Sequence, residues 1–286
     1  MEHSCDVVVA GGGTGGVIAA LAAARAGART VLVEQKGYVG GIAVEGGTAL
    51  HSYYNLWKAF PGVEKTQVVR GIPSELVDRL ARVGGTSGHA EMRAGYDYDS
   101  VCTAIDTELY KLVALEMLEE AGVDVWLNSA VTGADTSDGG SPDPSARRID
   151  RRIVRLHIAS RSGSERVAAS CLVDATGFGD LAAGAGAHFT EPNDYPVANS
   201  MGVGGVDLEA YHAWLTSHGA LSQYAEGTRD GVDGRIVRLD ADAGSLPREF
   251  AEAARAIGMS FVVTTVHDDY FMFVKLNVKT DRSPTS

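Results

Sequence analysis

Near the start of this 286-residue chain, Asp6-Val7-Val8-Val9-Ala10 runs directly into Gly11-Gly12-Gly13-Thr14-Gly15-Gly16. A short β-branched run that stops at glycines predicts a buried parallel strand. Val17 to Ala26 is alanine-rich and predicts a helix, with Gly27 as its stop. Thr30-Val31-Leu32-Val33 predicts a second buried strand, closed by Glu34. Strand, glycine turn, helix and strand within about thirty residues make a βαβ unit. Gly11, Gly13 and Gly16 fill G-x-G-x-x-G at the turn. The first glycine serves the tight bend, the second the close approach of a pyrophosphate, and the third the packing of helix on sheet. The pyrophosphate would lie on the helix N-terminus, where free backbone N–H groups point outward. Glu34 is placed to accept hydrogen bonds from a ribose 2′-OH, and its charge disfavours a 2′-phosphate. The first forty residues therefore predict a site for the ADP half of a dinucleotide; the plainer alternative is a glycine-rich turn that holds nothing. FAD and NAD both remain open on this motif.

Further along, Gly40 to Ser100 reads as irregular and rich in Gly, Tyr and His, with one helix over Pro73 to Val83 and Ser74 as its possible cap. Asp106 caps a second helix to Ala121, carrying Leu109, Leu112, Val113 and Met117 at helical spacing, and Gly122 ends it. Strands are predicted over Val123 to Leu127 and Ala130 to Ala134. Ile153 to Ser160 and Val167 to Asp174 form a hairpin about Ser162-Gly163-Ser164. Ala175-Thr176-Gly177-Phe178-Gly179-Asp180 follows, with a small-residue helix from Leu181. After Pro192, helices are expected over Gly204 to Leu215 and Pro247 to Ile257, and antiparallel strands over Ser260 to Val266 and Tyr270 to Val278. The fold class expected is α/β: a Rossmann-like domain with a parallel sheet plus a three-stranded β-meander, and a second α+β substrate lobe. The expected boundaries are 1–190 for the nucleotide domain, with an irregular insertion at about 42–100, and 191–286 for a partial substrate lobe.

Composition removes several function classes. A formal net charge of −12 disfavours nucleic acid, because a phosphate backbone is repelled by an acidic surface. The one dense basic run, Arg147, Arg148, Arg151 and Arg152, reads as a solvated rim. Cys5, Cys102 and Cys171 are far apart and form no CxxC pair, which disfavours a disulfide framework or a zinc site and fits a reducing cytoplasm. Val7 to Ala24 is uncharged, but it lacks a basic flank and its first half is mostly glycine, so no membrane span or signal segment is expected. There is no G-x-S-x-G and no H-E-x-x-H.

Asp6 to Gly41, Glu108 to Ala121 and Leu172 to Asp180 together resemble the FAD-dependent oxidoreductases of the glutathione-reductase-like fold, with distant similarity to fumarate reductase flavoprotein subunits. Arg70-Gly71-Ile72-Pro73 and Met201 to Val206 are similar to that group too. The resemblance spans most of the chain, and its specific part is the nucleotide-binding motifs. It implies FAD as cofactor, a ribityl chain passing Gly40-Gly41, adenine contacted through the backbone at Val131, and Ala175-Thr176-Gly177 returning to the cofactor. The cofactor-binding residues expected are Gly11, Gly13, Thr14, Gly15, Gly16, Glu34, Gln35, Gly40, Gly41, Val131, Ala175, Thr176, Gly177 and Asp180, the last also a helix cap. The family's C-terminal Gly-Asp return segment has no counterpart after Gly179-Asp180. A second polypeptide or a further segment completing the flavin site is therefore expected beside a small-molecule substrate.

Catalytic candidates come from the segment after Gly41: His51, Tyr53, Tyr54 and Asn55. A histidine there suits a general base or a charge stabiliser, or simply packs in a loop. Arg70 suits a bidentate clamp on a substrate carboxylate, or a salt bridge at a helix start. His89 and Tyr96 are weaker candidates, and His267-Asp268-Asp269 reads as a polar hairpin tip rather than a metal cluster. The function expected is hydride transfer between flavin and a small organic substrate. The alternatives are a NAD-binding Rossmann enzyme and an incomplete flavoprotein half, inactive alone.

Overall fold

A computed structural model describes residues 1–45, 50–86, 88–91, 100–138, 151–188, 197–228, 235–256, 261–267 and 271–278. The chain divides into two units, one of Met1–Ile42 with Lys111–Thr190, the other of Ala43–Tyr110 with Glu191–Ser286.

The first unit begins with β1 (Glu2–Ala10), α1 (Thr14–Arg25) and β2 (Thr30–Val33). All four β2 residues are buried, as expected for a strand covered on both faces of a parallel sheet. A short helix, α2 (Ile42–Glu45), leads into the second unit. That unit continues with β3 (Leu50–His51), α3 (Ile72–Arg82), β4 (His89–Glu91) and β5 (Val101–Ala104). Next comes α4 (Thr107–Glu120), capped by the Asp106 carboxylate, which accepts from the N–H groups of Glu108 at 2.9 Å and Leu109 at 3.0 Å. The first unit resumes with β6 (Asp124–Trp126), β7 (Ser129–Asp138), β8 (Arg151–Ser160), β9 (Gly163–Asp174) and α5 (Asp180–Gly184).

Its six strands form one mixed sheet in the order β6-β2-β1-β9-β8-β7. The pairs β6–β2, β2–β1 and β1–β9 are parallel, whereas β9–β8 and β8–β7 are antiparallel. This is the parallel sheet plus three-stranded meander that the sequence led us to expect. Arg161 and Ser162 form the β8–β9 turn, one residue earlier than the glycine-centred turn expected. Cys5, Val8, Val31, Val33, Leu156, Ile158 and Val167 fill one core, and α1 buries Gly16, Val17, Ala20 and Leu21.

The second unit holds two antiparallel sheets. β3, β5 and β4 make a small one in the order β3-β5-β4. The other follows β10 (Val197–Gly204), α6 (Leu208–Ser217), β11 (Leu221–Thr228), β12 (Arg235–Asp242), α7 (Arg248–Ala256), β13 (Phe261–His267) and β14 (Phe271–Val278), with strand order β10-β14-β13-β12-β11. Leu208, Leu215, Leu239 and Leu246 centre its core. The helix expected from Gly204 starts later, at Leu208: Gly204 closes a strand, and the Asp207 carboxylate caps α6 by accepting from Ala210 N–H at 2.9 Å. Ser74 does not cap α3; Gly71 holds that position, and the Ser74 hydroxyl accepts from the Gln67 amide at 3.0 Å.

Candidate cofactor site

β1, β2 and β9 end side by side at Ala10, Val33 and Asp174. In open α/β sheets, ligands gather at the carboxyl ends of parallel strands. Gly11 N–H donates to Val33 O and Ala175 N–H to Ala10 O, each at 2.8 Å, which draws the glycine turn and the Ala175 segment together. Gly11 has φ +99, and a Cβ there would collide with the Ala175 carbonyl. A Cβ on Gly16 would collide with the Gly11 carbonyl oxygen. Gly40 N–H donates to Gly12 O at 2.8 Å, and Gly40 bridges Gly13, so the second glycine pair lies on the first turn.

Gly13 differs from these. A Cβ on it would meet nothing nearer than the Gly41 Cα at 4.0 Å. Gly13 is also the N-cap of α1, no side chain caps it, and no acid stands in the first turn. The first N–H groups of α1 are thus left for an anion, and the positive end of the helix dipole favours one. Thr14 is half-buried and Gly15 exposed at this end.

Glu34 is buried at 8% exposure. Its Oε2 accepts from Gly12 N–H at 2.6 Å and its Oε1 from Lys36 N–H at 2.8 Å. Each oxygen keeps a lone pair, so this fixed carboxylate can still accept hydroxyl donors. Gln35 is exposed beside it, and Val131 lies half-buried on β7. Ser129 N–H donates to Glu34 O and Asn128 N–H to Lys36 O, each at 2.9 Å, so the start of β7 is tied to the loop after β2. Ala175 and Thr176 are half-buried, while Gly177 and Asp180 are exposed on the loop after β9. A diphosphate at an uncapped helix start, a ribose at a held carboxylate and a glycine-lined passage all suit the adenosine diphosphate part of FAD.

The sequence reading missed Gly12, which packs on Glu34: a Cβ there would sit 2.9 Å from the Glu34 Cβ. It missed Asn128, with φ +51, and Asp174, whose carboxylate organises the loop after β9. Three glycines in a row and an Asp directly before Ala-Thr-Gly were the available signals.

In the second unit, His51 and His89 both pair with Thr103 across β3-β5-β4, so all three side chains share one face of that sheet. His89 Nδ1 lies 2.6 Å from the Thr103 hydroxyl. Its ring sits 4.9 Å from that of Tyr53 and 5.5 Å from that of Tyr54. The His51 ring donates to the Ala43 carbonyl, and its Nε2 is buried with no hydrogen-bond partner. Burial lowers the pKa of His51 against the opposing effect of that carbonyl, and burial likewise lowers His89 against the pull of Asp78. Burial raises the pKa of Tyr53. Asn55 is occupied locally, accepting from Thr66 N–H at 2.9 Å and donating to Glu64 O at 2.8 Å. Arg70 is exposed and its Nε donates to Gln67 O at 2.6 Å. Tyr96, Asp268 and Asp269 lie outside the described residues. The glycine turn, Glu34, Gly40, Gly41 and the Ala175–Gly177 loop come together in the first unit, whereas His51 and Arg70 belong to the second.

A mixed sheet of this order, with a glycine turn and a terminal acid at its strand ends, defines the Rossmann-like FAD-binding class. The chain belongs to the FAD dependent oxidoreductase family, whose model matches residues 6–257. It is similar in fold to a geranylgeranyl bacteriochlorophyll reductase-like protein from Thermoplasma acidophilum, at 16% identity and a TM-score of 0.56, covering 98% of this chain and 57% of that one. It is also similar to a myxobacterial chondrochloren halogenase, described as a variant of FAD-dependent halogenases, at 16% identity and a TM-score of 0.52, covering 96% of this chain and 53% of that one. The chain therefore spans little more than half the length of either structure, and at such identity the likeness concerns the fold alone. No curated protein matches the sequence. Among the described residues, no helix is long and apolar enough to cross a membrane.

Proposed function

We propose that the protein is an oxidoreductase that binds FAD through the residues at the ends of β1, β2 and β9 and acts on a small organic substrate. The observation that carries this reading is the uncapped α1 start at Gly13, flanked by the held Glu34 carboxylate and the Ala175 segment. Bound flavin supplies hydride chemistry, exchanged with the substrate. The chain's own groups bind, orient and move protons. The N–H groups of α1 take the pyrophosphate, Glu34 accepts from the ribose, and Gly40-Gly41 gives the ribityl chain a side-chain-free path. The backbone at Val131 meets the adenine, with Gln35 at its edge, and Thr176, Gly177 and Asp180 complete the binding set.

His51 is the proposed proton acceptor. Its donation to the Ala43 carbonyl and its burial favour the neutral ring with Nε2 as the basic nitrogen. Arg70 uses its Nε on Gln67 O, which leaves the two terminal nitrogens for a substrate carboxylate. The proposed domain reading keeps 1–190 as the FAD-binding part and 191–286 as substrate lobe. A cytoplasmic setting is supported by three cysteines that are all free thiols. A second polypeptide or further segment completing the flavin site belongs to the same proposal.

Purified protein should be yellow, with absorbance that dithionite bleaches. A colourless preparation that takes up no added FAD would overturn the reading. Tighter binding of NADH than of FAD would replace it with a nicotinamide enzyme, which Glu34 also permits.

A further inference from the structure

Asp174 is the last residue of β9, in register with Ala10 at the end of β1. Its Oδ1 accepts from the Thr176 hydroxyl at 2.7 Å and from Thr176 N–H at 3.2 Å. Its Oδ2 accepts from Ala182 N–H at 3.0 Å, in the first turn of α5. The Thr176 hydroxyl in turn accepts from Asp180 N–H at 3.0 Å. One carboxylate and one hydroxyl thus close a ring of bonds around the segment from Ala175 to Gly179, in which Gly177 and Gly179 have φ +89 and +75. Nothing else in those two glycines would hold the segment in a single shape.

A carboxylate beside a diphosphate site is unfavourable unless its charge is engaged. Here both oxygens are engaged. Burial raises the pKa of Asp174, but donation from Thr176, Ala182 and Leu181 outweighs that and keeps the carboxyl below its usual range. The same bonds occupy the first amides of α5, so they are no alternative seat for an anion, while the α1 start keeps its own free. Ala175, between Asp174 and Thr176, is the residue whose carbonyl fills the space a Gly11 side chain would need.

We propose that Asp174 is a positioning residue for FAD: by clasping Thr176 and the start of α5 it holds the Thr176–Gly179 loop for the half of the cofactor beyond ADP. The inference rests on the FAD reading given above and assigns that site a residue acting through another. It separates the two halves of the ligand. The ADP half depends on the glycine turn and Glu34, which Asp174 does not touch, and the remainder depends on the clasp.

The test titrates FAD and ADP separately into native protein, Asp174→Ala, Asp174→Asn, Thr176→Val and Thr176→Ser, following flavin fluorescence and binding heat, with thermal midpoints recorded in parallel. Loss of a charge-assisted bond should weaken FAD on the order of tenfold in Asp174→Ala and Thr176→Val, while ADP changes by less than about twofold. Asp174→Asn keeps one acceptor oxygen and should fall between. Thr176→Ser keeps the hydroxyl and should bind FAD like the native protein. Combining Asp174→Asn with Thr176→Val should cost less than the sum of the two, because both remove the same bond. Unchanged FAD affinity in folded Asp174→Ala would overturn the proposal. So would FAD and ADP weakening together in step with the thermal midpoint, since that marks a purely structural role. If native protein binds FAD and these variants do so equally well, only this proposal falls; if native protein binds no FAD, the underlying reading falls with it.

Discussion

The glycine turn of the first unit and the histidine row of the second hold their polar groups in different ways. Around Gly11, Gly13 and Glu34 the working groups are backbone N–H donors and one carboxylate, each fixed by main-chain bonds such as Gly12 N–H to Glu34 Oε2. Around His51, Thr103 and His89 the working groups are side chains set on three short strands, and His51 Nε2 and Trp57 Nε1 are buried without partners. A buried polar atom with no partner costs about 1–3 kcal/mol, so the second arrangement stores an unmet demand that the first does not. The difference shows what each region is suited for: the first presents a rigid receptor for a fixed ligand, the second a basic nitrogen kept neutral and ready for a proton.

The largest expected effect would break the first half of that comparison. Gly11→Ala should lose about 3 kcal/mol or more, from left-handed strain and the collision with Ala175. A cooperative urea transition close to native would show that the turn is not so constrained. Gly13→Ala makes the opposite case. Its φ of −67 and ψ of −176 suit alanine, and the nearest atom to the new Cβ is 4.0 Å away. Ligand-free stability should therefore stay within about 0.5 kcal/mol of native while FAD affinity falls on the order of tenfold or more. Native FAD affinity in that variant would mean the space at Gly13 is not the pyrophosphate's.

Two smaller effects sharpen the second half. Thr103→Val keeps the shape of a fully buried residue and removes the hydroxyl 2.6 Å from His89 Nδ1. Urea denaturation should register a loss of about 1–2 kcal/mol; an unchanged midpoint would mean that bond contributes nothing. His51, lowered by burial, binds fewer protons folded than unfolded once pH drops below about 6.5. Stability from this site is therefore full above that pH and declines as pH falls towards the lowered folded value. His89 contributes in the same direction. Urea midpoints between about pH 5 and 7 should slope less in His51→Gln than in native protein. An equal slope would show that His51 is not held neutral.

The same contrast explains what could be read from the residues in order. The β1-α1-β2 unit was legible because its constraints are local: Gly11 and Gly16 have no substitute where the chain touches itself, and β2 is buried on both faces. Asp106 as the α4 cap and the β7-β8-β9 meander were legible for the same reason. The strands β3, β4 and β5 were not, since each is two to four residues long and takes its identity from distant partners. β10, Val-Ala-Asn-Ser-Met-Gly-Val-Gly, carries two glycines that speak against a strand and was passed over, so α6 was drawn four residues too early. Of the site, the backbone-built part was visible. His89 beside Thr103 and the Asp174 clasp were not, because those contacts arise only when separate segments meet.

The central claim is that the ends of β1, β2 and β9 hold FAD. Parallel titrations of FAD and NADH into the purified chain, read by fluorescence and binding heat, test it most directly. The account predicts saturable one-to-one binding of FAD, tighter than that of NADH and weakened by Gly13→Ala. Binding of neither ligand, or preference for NADH, would contradict it.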